Sequence, residues 1–117
     1  MISEQVEKRN LQICFTPALL PFADADDNTI AVIVDVLRAT TAICAAFDNG
    51  VKEIIPVATL EEAKTYKKNG YLIAAERDGI KASFADFGNS PFNFRKTEVK
   101  GKTIVYSTTN GTQVIAK

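Results

Sequence analysis

The sequence of 117 residues is long enough for one domain built around a single hydrophobic core. Apolar residues make up 46% of the chain and charged residues 24%, a balance that argues against a disordered protein or a coiled coil. The 14 basic residues are balanced by 14 acidic ones. No overall field therefore favours nucleic acid or an anionic membrane, and any anion site must be local.

Several classes of protein are disfavoured by what the sequence lacks. No apolar run approaches the roughly 20 residues of a membrane helix, and the polar N-terminus has no signal-peptide core. Cys14 and Cys44 lie in apolar contexts, which predicts two reduced core thiols in a cytoplasmic protein. The absence of histidine excludes, within this chain, a Ser-His-Asp triad, a phosphohistidine and a His-ligated zinc site. Any metal is expected to have oxygen ligands, which suits magnesium or calcium.

The first half of the chain predicts strands around one helix. Residues 11–15 are a short strand, and the acidic stretch 24–28 is a loop. Residues 29–36 (TIAVIVDV) are rich in β-branched side chains without strict alternation, which is typical of a central strand of a parallel sheet. Residues 39–47 then form a small, apolar helix that should pack tightly on the sheet and end at an Asn-Gly pair.

The second half continues the alternation. Residues 53–57 are a strand, and a helix over 59–68 begins at a Thr-x-x-Glu capping box. Residues 71–75 and 102–107 are further strands. This order predicts an α/β fold with a mainly parallel sheet. Residues 111–117 look like the first turns of another helix, and we therefore expect the single α/β domain of residues 1–117 to be part of a longer protein.

The first polar motif, DVLRATT, follows the predicted central strand, where ligands bind in open parallel sheets. Asp35 is the only charge between Thr29 and Leu37, and a buried carboxylate needs a nearby cation, either Arg38 or a metal ion. Thr40 and Thr41 lie at the helix start, where free N–H groups favour an anion. The structural alternative is a local Asp-Arg pair beside a threonine that caps the helix.

Two further motifs follow in the same arrangement. Glu76 and Arg77 are a second carboxylate and guanidinium at a strand end, with surface solvation as the alternative. Asn89 and Ser90 precede Pro91, so Ser90 is either a helix cap or a ligand-binding group.

The last motif, STTNGT, follows the final predicted strand. Asn110 and Gly111 tolerate positive φ, so the turn is able to aim successive N–H groups at an anion, while Thr109 and Thr112 add hydroxyl donors. A hairpin turn is the alternative, although the residues that follow look more like a helix. No Walker A loop and no GxGxxG fingerprint is present.

The motifs VIVDVLRATTAI, AAERDGIK, DFGNSPFNF and TIVYSTTNGT, in this order, resemble the 2-phosphosulfolactate phosphatase family, the ComB-like proteins of coenzyme M biosynthesis. The resemblance spans about residues 30–112. It implies a three-layer α/β/α fold and a cytoplasmic, magnesium-dependent phosphatase that converts 2-phosphosulfolactate, or a related 2-phospho acid, to sulfolactate and phosphate. Because family members continue for roughly as many residues again, we expect this chain to be the N-terminal part of such an enzyme.

The resemblance also implies roles for the motif residues. Arg38 and Arg77 would clamp an anionic phosphorylated small molecule, while Asp35 and Glu76 would hold Mg²⁺. Asp35 as a nucleophile is the alternative, although Leu37 stands where a second aspartate would be needed. The stretches 109–112 and 89–90 would stabilise phosphoryl oxygens. A non-catalytic anion-binding module, or an inactive fragment, is the competing function. A homo-oligomer remains open, whereas nucleic acid and membrane are not expected as partners.

Overall fold

A computed structural model describes residues 10–95, 97–109 and 111–112. The chain divides after Ala31 into two units, and the second unit, which begins at Val32, contains the sheet and the two α-helices that lie wholly within the described residues. In the first unit, a 3-10 helix over Pro17–Phe22 occupies the segment in which two prolines predict a turn. Within the described residues, no helix combines the length and apolarity needed to cross a membrane.

Two α-helices form where the sequence predicts them. Helix α1 spans Ala39–Asp48 and buries three alanines, whose small side chains allow the helix to approach the sheet closely. Helix α2 spans Leu60–Lys68, and the hydroxyl oxygen of its cap Thr59 accepts the Glu62 N–H at 3.1 Å. Both helices end at an Asn-Gly pair whose glycine has positive φ, as the stop signals indicate.

In the part of the chain that the structure describes, the sheet has four strands in the order β1-β4-β2-β3. They are β1 (Glu53–Pro56), β2 (Leu72–Arg77), β3 (Ile80–Lys81) and β4 (Thr103–Ser107). β4 lies between β1 and β2 and is parallel to both, whereas β3 returns antiparallel to β2 after a tight turn. The prediction of an α/β fold with a mainly parallel sheet is confirmed.

Hydrophobic clusters cover both faces of the sheet. On one face, α1 and a 3-10 helix over Pro91–Arg95 pack around Tyr106 of β4. On the other face, Ala63 of α2 packs with Ile73 and Val105. Because successive residues of a strand face opposite sides, β4 contributes to both clusters. The result is a three-layer arrangement that aligns the carboxyl ends of β2 and β4.

Two predicted strands do not form. Residues 11–15 and 29–36 have no strand conformation. The three valines within residues 32–36 are 62% to 78% exposed, whereas the two residues between them are half-buried. The backbone of residues 32–34 makes no hydrogen bond to any described residue. A β-branched run becomes a strand only when another backbone pairs with it, and no described segment does so here; the two strand predictions were therefore wrong.

Cys14 and Cys44 are both free thiols. The prediction that they belong to the core was wrong, because both are exposed. Ala42 and Ala46 form the buried side of α1. Cys44 lies two residues from each of them, so the 3.6-residue period turns its side chain away from the sheet. Cys14 lies in the segment that forms no strand.

One ion pair links α2 to β2. The Asp86 carboxylate accepts hydrogen bonds from Lys67 Nζ at 2.5 Å and from the Ile73 N–H at 2.8 Å. Partial burial raises the pKa of Asp86, but these two bonds and the Lys67 charge outweigh burial and hold that pKa below its ordinary value. A carboxylate with a lowered native-state pKa stabilises the fold above about pH 4, and this contribution disappears as the pH falls through the native-state value.

We therefore expect Asp86→Asn to lower the free energy of unfolding at pH 7 by about 1 kcal/mol, allowing for solvent screening of a partly exposed pair. Urea titrations at pH 7 and at pH 3 measure the effect, and the difference from the unsubstituted protein should shrink at the lower pH. Asp27→Asn is the matched control, because its exposed carboxylate accepts no hydrogen bond from the described residues. A deficit that is as large at pH 3 as at pH 7 would contradict the electrostatic explanation.

Candidate active site

A polar pocket of about 300 Å³ lies at the carboxyl ends of β2 and β4. Such ends are where parallel α/β sheets bind ligands. The pocket combines three carboxylates with one guanidinium, an amide and a hydroxyl. The residues that line it are Asp35, Leu37, Arg38, Glu76, Asp78, Gly79, Asn89 and Thr109. Residues from four predicted motifs thus meet at one place.

Glu76 is the most enclosed charged group of the pocket, with 6% of the residue exposed. Its Oε1 accepts the Gly79 N–H at 2.6 Å and the Thr109 hydroxyl at 3.1 Å. Its Oε2 accepts the Asn89 side-chain amide at 3.3 Å. These three donors compensate the carboxylate for its loss of water and fix its orientation.

The turn between β2 and β3 supplies one of these donors. Asp78 and Gly79 both have positive φ, at 53° and 80°, which is the backbone of a two-residue hairpin turn. This conformation directs the Gly79 N–H at the Glu76 carboxylate, while the Asp78 N–H donates to Thr109 Oγ1 at 3.1 Å. The Asp-Gly pair is therefore both a turn and a support of the pocket.

Two threonines in the first turn of α1 form hydrogen bonds to the loop that precedes the helix. Thr40 Oγ1 accepts the Asp35 N–H at 3.1 Å, and the Thr40 N–H donates to the Asp35 carbonyl at 3.0 Å. The Thr41 hydroxyl donates to the Val36 carbonyl at 2.7 Å. Both hydroxyls thus bind backbone. In contrast, the Asp35 carboxylate accepts no hydrogen bond and lies within 4.0 Å of no guanidinium or ammonium nitrogen among the described residues, so it does not pair with Arg38.

Arg77 lies away from the pocket lining. Its guanidinium donates to the carbonyls of Glu76 and Ala58, and to Ser107 Oγ at 2.9 Å. Neighbouring strand residues face opposite sides of a sheet, and Arg77 accordingly points away from the side on which Glu76 lines the pocket. Arg77 joins the ends of β2 and β4, and among the described residues Arg38 is the only cationic side chain that lines the pocket.

The segment before the 3-10 helix Pro91–Arg95 contributes one pocket residue. Asn89 lines the pocket and is 8% exposed. Ser90 is not part of the lining, and its carbonyl accepts the Asn93 N–H at 2.9 Å. Asn93 Oδ1 in turn accepts the Gly88 N–H at 3.1 Å. The Ser-Pro signal is thus followed by the short helix that it indicates.

The loop after β4 closes on itself. The Thr108 N–H donates to Thr112 Oγ1 at 3.1 Å, and the Thr112 N–H donates to Thr108 Oγ1 at 3.3 Å. The Thr112 hydroxyl is therefore engaged within the loop, whereas Thr109 faces the pocket. Asn110 lies outside the described residues. A Cβ on Gly111 would lie 3.3 Å from Thr108 Oγ1 and 3.4 Å from the Ala39 Cβ, so a larger residue here would require Thr108 to shift slightly.

Tyr106 contacts the pocket residue Asn89 from the hydrophobic core. The sequence did not identify Tyr106 as part of the site. Its hydroxyl donates a short hydrogen bond to Asn89 Oδ1, and the residue is 1% exposed. Burial raises the pKa of the Tyr106 hydroxyl well above its ordinary value, and the negative charges of Glu76 and Asp35 raise it further. The hydroxyl therefore keeps its proton. A tyrosine within a strand resembles any core residue, so the sequence carries no signal of this contact.

The donor set of the pocket fits a magnesium ion. Mg²⁺ binds through one or two carboxylates and retains waters and substrate oxygens as its other ligands. A carboxylate has about four acceptor positions. Glu76 uses three of them within the protein, which leaves one, and the Asp35 carboxylate is unengaged by the described residues. Within that part of the chain, no three His, Cys, Asp or Glu side chains are grouped to hold a metal, so an ion here would take its remaining ligands from water and substrate.

Known proteins resemble this chain over most of its length. A family model described as 2-phosphosulpholactate phosphatase matches residues 14–117. A protein of Thermotoga maritima named "Probable 2-phosphosulfolactate phosphatase" is 54% identical over 87 residues, which cover 74% of this chain and 38% of the relative. A protein of the same name from Clostridium beijerinckii is 43% identical over 94 residues, covering 77% of this chain and 40% of the relative. The chain thus spans 38% to 40% of the length of these curated relatives.

Proposed function

Because the chain belongs to the 2-phosphosulfolactate phosphatase family, we propose that its pocket binds and hydrolyses the phosphate monoester of a small acid. The substrate is 2-phosphosulfolactate or a closely related 2-phospho acid. Water is consumed, the ester bond between phosphorus and the substrate oxygen is broken, and sulfolactate and inorganic phosphate are released. Mg²⁺ is the cofactor.

The observation that carries this proposal is the meeting of Asp35, Arg38 and Glu76 in one pocket at the sheet edge. The substrate bears phosphate, sulfonate and carboxylate groups and is therefore strongly anionic. Arg38 offers it a planar, permanently charged donor that is able to bind two oxygens at once. Three carboxylates in the same lining would repel such a molecule. A divalent cation held by these carboxylates would neutralise their charge and remove this conflict.

Asp35 and Glu76 would hold the magnesium ion. When bound, Mg²⁺ supplies charge neutralisation and polarises the phosphoryl group. Hydrogen bonds within the protein orient these groups before any ligand binds. Gly79, Thr109 and Asn89 hold the Glu76 carboxylate in one orientation, and Thr40 fixes the backbone at Asp35. A site that is already ordered avoids reorganisation when the substrate arrives.

Release of inorganic phosphate from 2-phosphosulfolactate by the purified chain tests the proposal. We expect release that depends on added Mg²⁺, and weaker release from 2-phospholactate, which lacks the sulfonate. Arg38→Gln should raise KM, whereas Arg95→Gln is the matched control, because Arg95 stacks on Phe92 outside the pocket. Release that continues unchanged in the presence of a chelator would contradict the role of magnesium.

A second function, a non-catalytic anion-binding module, is favoured by one observation. The hydroxyls of Thr41, Thr109 and Thr112 each donate to an acceptor within the protein, which leaves few donors for a phosphoryl group in the transition state. Thermal protection by inorganic phosphate, with no phosphate release from the ester, would support the binding module over the phosphatase.

A further inference from the structure

A buried tyrosine, Tyr106, contacts Asn89, which is one of the residues that line the proposed site. Tyr106 is not part of the polar pocket lining and is 1% exposed. Its ring packs beside Phe94, with 6.3 Å between the ring centroids. An aromatic ring suffices for this packing, and phenylalanine would fill the same space. The hydroxyl therefore needs a separate explanation.

The hydroxyl is the first member of a hydrogen-bond chain that ends in the pocket. Tyr106 donates to Asn89 Oδ1, and Asn89 Nδ2 donates to Glu76 Oε2 at 3.3 Å. An ionised carboxylate only accepts hydrogen bonds, so the NH2 group of Asn89 must face Glu76. The amide oxygen then faces Tyr106, which must donate. The hydrogen bonds can therefore run in only one direction, from Tyr106 through Asn89 to Glu76.

We infer that Tyr106 is a positioning residue, which acts through Asn89 to hold the Glu76 carboxylate in the orientation that binds a divalent cation. The inference rests on the proposed function. Without the hydroxyl, the buried Asn89 oxygen would lose its donor, and an unpaired buried acceptor is costly. Rotation of the amide by half a turn would place that oxygen against Glu76 and repel it. Glu76 would then lose the donor to its Oε2, and only the two donors to Oε1 would remain to hold the carboxylate.

Titration of the chain with Mn²⁺, followed through the electron paramagnetic resonance signal of the free ion, tests the inference without any turnover. Residues that orient a metal ligand typically contribute 10- to 100-fold to metal affinity, so Tyr106→Phe should raise the Kd for Mn²⁺ by about that factor. Tyr71→Phe is the matched control. Tyr71 is 37% exposed and packs edge-on against Tyr66, away from the pocket, so its Kd should not change.

A double-mutant cycle separates positioning from a general structural effect. If Tyr106 acts through Asn89, Tyr106→Phe combined with Asn89→Ala should bind Mn²⁺ as weakly as Asn89→Ala alone. Effects that multiply would overturn the inference. If the phenylalanine variant does not fold, Asn89→Ala alone should still raise the Kd by the same factor, and an unchanged Kd would overturn the inference.

Different results would contradict the proposed cofactor and the positioning role of Tyr106. Saturable Mn²⁺ binding that Glu76→Gln abolishes, together with an unchanged Kd in Tyr106→Phe, would overturn the positioning role and leave the proposed cofactor intact. No Mn²⁺ binding by the unsubstituted chain would overturn the proposed cofactor and this inference with it.

Discussion

Asp35→Asn is expected to lower magnesium-dependent phosphate release by about 100-fold or more, a factor typical of the loss of one preorganised charged or polar group at a reacting phosphate or carbonyl. The side chain keeps its shape and loses its charge. The two hydrogen bonds that fix this position use the backbone of residue 35, through its N–H and its carbonyl, so the fold should be unaffected. The rate of phosphate release and the unfolding temperature of the variant measure these two expectations.

The matched control is Asp48→Asn, at the end of α1 and outside the pocket lining. It should retain the activity of the unsubstituted protein. Activity of Asp35→Asn within about tenfold of that level would exclude Asp35 both as a ligand and as a nucleophile, since either role needs the negative charge.

Phe94→Ala is expected to lower the free energy of unfolding by about 3–5 kcal/mol, the usual cost of removing a fully buried phenylalanine ring. Phe94 is 0% exposed and lies between the rings of Phe87 and Tyr106, with centroid distances of 5.7 Å and 6.3 Å. The truncation leaves a cavity beneath the pocket. Since small domains are stable by only about 5–15 kcal/mol, a large share of the total is lost. Urea denaturation followed by circular dichroism measures the change.

Phe92→Ala offers a close comparison on the same 3-10 helix. Phe92 is 68% exposed, and its ring contacts the Arg95 guanidinium. We expect a change of no more than about 0.5 kcal/mol, as for most surface substitutions. Equal destabilisation by the two alanine variants would show that Phe94 is not the core residue that its burial indicates.

The elements predicted correctly from the sequence are those with local signals. Helix α2 has a capping threonine at Thr59 and an Asn-Gly stop, and its bounds agree with the prediction to within a residue. Strands β1 and β4 also form within one residue of the predicted bounds. A strand over residues 29–36 was predicted from composition alone, yet strand formation depends on a partner backbone that composition cannot specify.

The same contrast holds for the pocket. The meeting of Asp35 and Glu76 follows from the rule that parallel strands end at one sheet edge. The direction of Arg77 depends on which face its strand presents to the pocket, and this is fixed by register and packing. The internal hydrogen bonds of Thr112 and Tyr106 could not be predicted for another reason. Their hydroxyls bind atoms that are brought near only by the folded chain.

The exposed valines of residues 32–36 affect how the protein behaves at high concentration. The backbone of residues 32–34 has no hydrogen-bond partner among the described residues. Such backbone groups, beside a row of apolar side chains, are a template onto which another polypeptide adds as a strand. A formal net charge of zero gives the molecules no long-range repulsion to keep them apart. Self-association should therefore increase with concentration, and most strongly near the isoelectric point of about 6.2, so that solubility is governed by this short segment.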